Sequence, residues 1–141
     1  MIEERFKITF EQAAVGIAHV SLDGRFLEVN QKFCDIVGYT KKEMLSRTFQ
    51  EITHPDDLEK DLEYVQQVFD GEIETYSMEK RYFRKDKTIV PIDLTVSLVF
   101  EDTGEPKYFI AVVQDITKRK EAEDQFRLLV KQAGDAFFVL D

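Results

Sequence analysis

The stretch that decides the fold is Lys107-Tyr108-Phe109-Ile110-Ala111-Val112-Val113-Gln114-Asp115-Ile116-Thr117. Residues 107–114 read as a strand that is apolar on both faces. Such a strand runs through the middle of a sheet covered on each side, or turns its outer face to a partner helix. Asp115 or Thr117 can cap a following helix, since either side chain can accept from an orphan amide of the first turn. Helical spacing runs from Ile116 to about Gln132. It starts highly charged and ends with Ala122, Phe126, Leu129, Val130 and Ala133 on one side.

Working upstream, Tyr76–Arg84 and Ile89–Phe100 are two more strands, and a turn at Asp102-Thr103-Gly104 leads out of the second. Ile92, Leu94, Val96 and Leu98 share one face of it, with Asp93, Thr95 and Ser97 on the other. Gly16–Leu22 and Arg25–Val29 form a hairpin around Asp23-Gly24. The remaining segments are helical. Residues 2–13 carry a stripe of Ile2, Phe6, Thr9/Phe10 and Ala13. Asn30 can cap a helix through residue 37, which Gly38 ends. Thr40-Lys41-Lys42-Glu43 is a capping box that starts another short helix. His54-Pro55-Asp56-Asp57 opens a longer one, with Leu58, Leu62, Val65 and Phe69 on one face and Gly71 as terminator. Strands and helices in separate runs predict an α+β domain with a mostly antiparallel sheet.

A length of 141 residues suits one core and is too short for two complete domains. The net charge of −9 repels phosphates and argues against general nucleic-acid binding. Lys118-Arg119-Lys120, followed at once by Glu121, Glu123 and Asp124, reads as a solvated helix face. Cys34 is the single cysteine, so no internal disulfide can form, which fits a reducing compartment. No apolar run is long enough to span a bilayer, and Met1-Ile2-Glu3-Glu4-Arg5 is not a signal peptide. The expected location is cytoplasmic, without membrane contact by this segment, whatever anchors a longer parent.

The two ends of the chain resemble each other. Phe6-Lys7-Ile8-Thr9-Phe10-Glu11-Gln12-Ala13 aligns without gaps on Phe126-Arg127-Leu128-Leu129-Val130-Lys131-Gln132-Ala133. Each stretch precedes a small residue and a candidate strand, Gly16–Val20 in one case and Ala136–Leu140 in the other. Any two amphipathic helices can look alike in this way; the alternative, taken as the expectation, is that a second domain begins near residue 124 and is truncated at Asp141.

Together the pieces resemble the PAS family followed by its PAC motif, over about residues 3–118. The carrying residues are Val15-Gly16-Ile17, Leu22-Asp23-Gly24-Arg25-Phe26-Leu27-Glu28-Val29-Asn30, Phe33-Cys34, Gly38-Tyr39-Thr40, His54-Pro55-Asp56-Asp57, Arg81-Tyr82-Phe83-Arg84-Lys85-Asp86 and Gln114-Asp115-Ile116-Thr117. The resemblance implies a five-stranded antiparallel sheet in the order 2-1-5-4-3, with short helices on one face and flanking helices at both termini. The turn Lys85-Asp86-Lys87 departs from it, with lysine where the family often has glycine. The expected organisation is a sensory domain over 1–117, a linker helix over 118–133 and the truncated start of a second PAS domain over 134–141.

The resemblance also sorts the chemistry. Flavin-binding relatives carry a reactive cysteine where this chain has Phe49, within Ser46-Arg47-Thr48-Phe49, so a flavin adduct is not expected. Haem-binding relatives use a histidine on the long helix, and residues 58–70 hold none. His19 and His54 are isolated, so no metal site is expected, and Cys34 reads as a small buried apolar group. No catalytic constellation is present. The pocket residues implied are Phe33, Val37, Leu62, Val65, Tyr82, Leu94, Val96, Ile110 and Val112, with a filled core as the competing reading. The ligand is left open. Asp115, Ile116 and Thr117 are the implied relay to the outgoing helix.

A heptad frame with Ile116, Glu123 and Val130 at a and Arg119, Phe126 and Ala133 at d predicts at most a weak coiled coil. A homodimer through the flanking helices and outer sheet face is the expected assembly, with a downstream PAS or kinase domain as partner. The expected parent is a sensor histidine kinase, with a diguanylate cyclase or a structural dimerisation spacer as alternatives.

Overall fold

The computed structural model describes the backbone of residues 2–140 and the side chains of residues 4–134. Helix α1 (Ile2–Gln12) leads into strands β1 (Gly16–Val20) and β2 (Phe26–Val29). Four helices follow: α2 (Gln31–Val37), α3 (Lys41–Met44), α4 (Phe49–Ile52) and α5 (Pro55–Phe69). Strands β3 (Thr75–Phe83), β4 (Ile89–Phe100) and β5 (Pro106–Asp115) then lead into α6 (Thr117–Leu140). The strands pair antiparallel in the order β2-β1-β5-β4-β3, as the resemblance implied. The central place of β5 explains its two apolar faces.

The core lies between one face of this sheet and the helices α2 to α5. Phe33 is fully buried at its centre, its ring 5.4 Å from that of Phe26 and 6.0 Å from that of Tyr82. Val37 and Cys34 flank it on the buried side of α2. Asn30 caps α2 by accepting from the Phe33 amide, and Gly38 closes the helix at φ 78, a left-handed conformation that glycine adopts without strain.

The capping box at α3 is complete, with Thr40 accepting from the Glu43 amide and Glu43 from that of Thr40. Lys85 also reaches the Glu43 carboxylate, at 2.6 Å. The Lys85 hydrogen bond, then the cap, pull Glu43 from 4.5 down to about 2. The carboxylate is held ionised in the native state, so its contribution is present above pH 4.5 and is lost as pH falls towards 2. A Glu43→Gln variant is expected to show a shallower acid limb over that window. Thermal unfolding followed against pH measures it, and an unchanged limb would refute the assignment.

The structure differs from the sequence reading in two places, and it shows how a third, the flagged lysine turn, is built. Helix α4 went unread, although Thr48 and Glu51 carry its signal: the Thr48 side chain accepts from the Glu51 amide. The strand expected at 136–140 is helical backbone, continuous with α6, because an isolated strand has no ladder partner whereas a helix bonds itself. Asp141 lies outside the described residues. At the Lys85-Asp86-Lys87 turn, Lys87 takes φ 71, and Asp86 accepts from the Thr88 amide and hydroxyl. Lysine here occupies a conformation in which glycine would meet less strain.

Candidate functional site

Four polar side chains meet inside the core: Thr53, Asp61, Tyr76 and Lys80. Asp61 is 1% exposed and Lys80 3%. Lys80 Nζ donates to Asp61 Oδ2 at 2.6 Å and to Thr53 Oγ1 at 3.0 Å. Tyr76 Oη donates to Asp61 Oδ1 at 2.6 Å. Thr53 Oγ1 donates in turn to the Phe49 carbonyl, at 2.7 Å. Both carboxylate oxygens of Asp61 are thereby satisfied, as a buried charge requires.

Lys80 Nζ carries three N–H groups and has two acceptors among the described residues. Its remaining side faces the rings of Tyr82 at 4.7 Å and Phe49 at 5.2 Å. Burial pulls the Lys80 ammonium below the usual lysine value, and Asp61 opposes that shift. Burial, followed by the Asp61 charge, pushes the Tyr76 and Tyr82 hydroxyls far up. Both tyrosines therefore remain protonated at neutral pH.

Asp61, Tyr76, Lys80 and Tyr82 border a cavity of about 30 Å³. Its other walls are apolar: Val20, Phe26, Phe49, Val65, Leu94, Val96, Phe109 and Ala111. Of the pocket residues expected from sequence, Val65, Tyr82, Leu94 and Val96 line this cavity. Phe33 and Val37 are fully buried and lie in the packed core behind it.

Three expectations are corrected. Ile110 and Val112 point to the outer face, and the inward residues of β5 are Phe109, Ala111 and Val113. A strand apolar on both faces carries no register signal, and pairing Ala18 with Ala111 fixes it. Leu62 is 40% exposed, because α5 turns Asp61 and Val68 inward instead. The apolar stripe on α5 points partly away from the core so that Asp61 can reach Lys80.

The exit junction is built as expected. Asp115 Oδ1 accepts from the Thr117 amide at 2.9 Å, and Ile116, 5% exposed, donates its amide to the Pro91 carbonyl. Buried against its own sheet, Ile116 is withdrawn from any coiled-coil seam. Two residues of the basic run are also engaged: Arg119 and Lys120 both reach the carboxylate of Glu79 on β3, at 2.5 and 2.7 Å. Both side chains stay more than two-fifths exposed, so the run is the solvated helix face read from the sequence, with Glu79 as its acidic partner on the sheet. His54 accepts from the Asp56 amide at the start of α5, the helix-turn role expected of it. No helix among the described residues is long and apolar enough to cross a membrane.

Three consecutive residues of β3 thus touch three different places. Glu79 faces outward to α6, and Lys80 faces inward to Asp61 and the cavity. Arg81 faces outward and makes a bidentate pair with Asp57 on α5, at 2.9 and 3.0 Å.

Comparison with known proteins agrees with this geometry. A probable diguanylate cyclase of Escherichia coli, DgcE, is 41% identical over 130 residues, 92% of this chain and 12% of its own length. The sensor histidine kinase TmoS of Ectopseudomonas mendocina is 26% identical over 92% of this chain and 13% of its own length. The chain therefore spans about an eighth of these relatives. A PAS domain from Colwellia psychrerythraea superposes with a TM-score of 0.77 over 84% of this chain and 99% of its own, at 19% identity. The PAS domain of an HTR-like protein from Haloarcula marismortui gives 0.65 over 82% and 92%, at 30% identity. The sequence profile of the PAS domain matches residues 13–118, and the chain belongs to the PAS family of sensory domains.

Proposed function

We propose that this domain is the sensory relay of a larger signalling protein, and that the parent's output is a diguanylate cyclase. The observation that carries the relay is the back-to-back arrangement on β3, with Lys80 in the core and Glu79 holding the first turns of α6. A change at the cavity that shifts the β3 backbone at Lys80 would carry Glu79 with it, because adjacent residues of a strand share a backbone and point to opposite faces. Ile116, buried beside Pro91 on the α6 side of the sheet, is the pivot about which the rest of α6 swings. The cyclase reading is favoured over the histidine kinase expected from sequence by the 41% identity to DgcE. TmoS, at 26%, supports the kinase as the second reading.

The repeat of α1 within α6 supports a second PAS domain after the linker. Phe10 is buried in the body of this domain, whereas Val130, its counterpart, is 56% exposed. Exposed Phe6 and Ile8 on α1 support a dimer contact there.

The test is charge reversal of the brace in the full-length parent. Glu79→Lys sets a cation against Arg119 and Lys120. Basal conversion of GTP to cyclic diguanylate is expected to change severalfold. Stability should fall by only about 0–1 kcal/mol for each exposed pair lost. Unchanged output with a folded domain would refute the relay. ATP-dependent autophosphorylation without GTP turnover would select the kinase.

A further inference from the structure

We infer that the cavity at Lys80 takes a small neutral molecule with one acceptor oxygen, such as a short ketone, aldehyde, alcohol or amide. The inference rests on reading the cavity as the input of the relay.

Three observations carry it. First, Lys80, with its side chain 1% exposed, has two acceptor oxygens among the described residues, and its remaining side meets only the Tyr82 and Phe49 rings, which line the cavity with it. A buried donor of this kind gains most from an acceptor brought to it. Second, Asp61 already balances Lys80 at 2.6 Å. The pair is neutral as a whole, so an anionic ligand would leave a net buried charge, and a cation would meet the ammonium. Both are disfavoured in a low-dielectric interior, and a neutral acceptor is not. Third, the opposite walls, Val20, Leu94, Val96 and Ala111, offer only apolar contact. They suit a short hydrocarbon body.

The cavity of about 30 Å³ holds one water-sized group as it stands. A body of a few carbons enters only if Val65 on α5 and Phe49 on α4 give way. Binding is thereby tied to movement of the helical layer, and through Asp61 back to Lys80 and β3.

Acetone and acetate, nearly isosteric and differing in charge, provide the test, with xenon as an apolar control. Methyl and amide NMR of this chain is expected to show saturable shifts at Val96 and Ala111 with acetone and none with acetate. In Lys80→Met, and in Lys80→Met/Asp61→Asn should the single variant unfold, acetone should bind at least tenfold more weakly while xenon still enters. Acetate binding as well as acetone, acetone failing to saturate, or the variants binding acetone like the unmodified chain would each overturn the assignment.

Arg119 and Lys120 report on the relay separately. If acetone saturates the cavity and their resonances stay fixed, the ligand assignment stands and the relay reading fails. If acetone never saturates but Lys80→Met/Asp61→Asn moves them, the relay stands and the ligand assignment fails.

Discussion

Replacing Lys80 with methionine is expected to lower the unfolding free energy by about 3–5 kcal/mol, the usual cost of breaking a buried ion pair from one side. Methionine fills much the same volume, so little packing is lost. What remains is the Asp61 carboxylate, 1% exposed, with its Lys80 partner gone and only the Tyr76 hydroxyl donating to it. The double variant Lys80→Met/Asp61→Asn separates this cost from the worth of the pair. Asparagine still accepts from Tyr76 and brings no charge, so at least half of the loss should return. Urea unfolding at unchanged m measures both. A double variant as unstable as the single one would mean that Lys80 acts through packing and not through charge.

That expectation has a functional side. A neutral pair in an apolar core contributes little net stability, because desolvation offsets the attraction. An apolar pair of similar shape would serve a spacer equally well. The buried pair adds little net stability, so a ligand-receiving role gives Lys80 a use that stability alone does not.

The fold was legible because its signals are local. Asp23-Gly24, Gly38, the box at Thr40 and Pro55 each dictate a turn or a cap through backbone chemistry alone. The strict alternation from Ile92 to Leu98 placed β4 face by face. The site was less legible, and for a physical reason. Which side of an element faces the core is readable only when its two sides differ, and β5 is apolar on both. Helix α5 misled in the opposite way. Its apolar stripe through Leu62 suggested the buried face, yet Leu62 is 40% exposed and Asp61 is inside. No rule of periodicity puts an aspartate inward. The partner that permits it, Lys80, is 19 residues away in sequence. One local hint existed: β3 alternates, so with Tyr76 and Tyr82 facing inward, Lys80 between them must face inward too.

Substituting aspartate for Asn30 changes one amide nitrogen to oxygen, yet it is expected to cost about 3 kcal/mol or more at neutral pH. Sequence reading found one role for Asn30, the cap of α2, and the structure gives its side chain four hydrogen bonds. Oδ1 accepts from the amides of Phe33 at 3.0 Å and Ile17 at 2.9 Å. Nδ2 donates to the carbonyls of Phe10 at 2.8 Å and Val15 at 3.0 Å. The residue is fully buried, and it ties α1, β1 and α2 together at one point. Aspartate keeps both accepted bonds and so keeps the cap. Its second oxygen, however, meets the Phe10 and Val15 carbonyls with no proton to offer. The loss should therefore fall on the attachment of α1, and amide exchange should rise there before it rises in α2. Protonation restores one donor, so the native state should hold the proton more tightly than the unfolded chain. Stability of the variant should then recover as pH falls through the raised native value towards about 3.9. Asn30→Ala, which leaves orphaned groups but adds no charge, should show no such recovery. If the two variants follow the same pH course, charge against the two carbonyls is not the cause, and the four-bond junction holds α1 by shape alone.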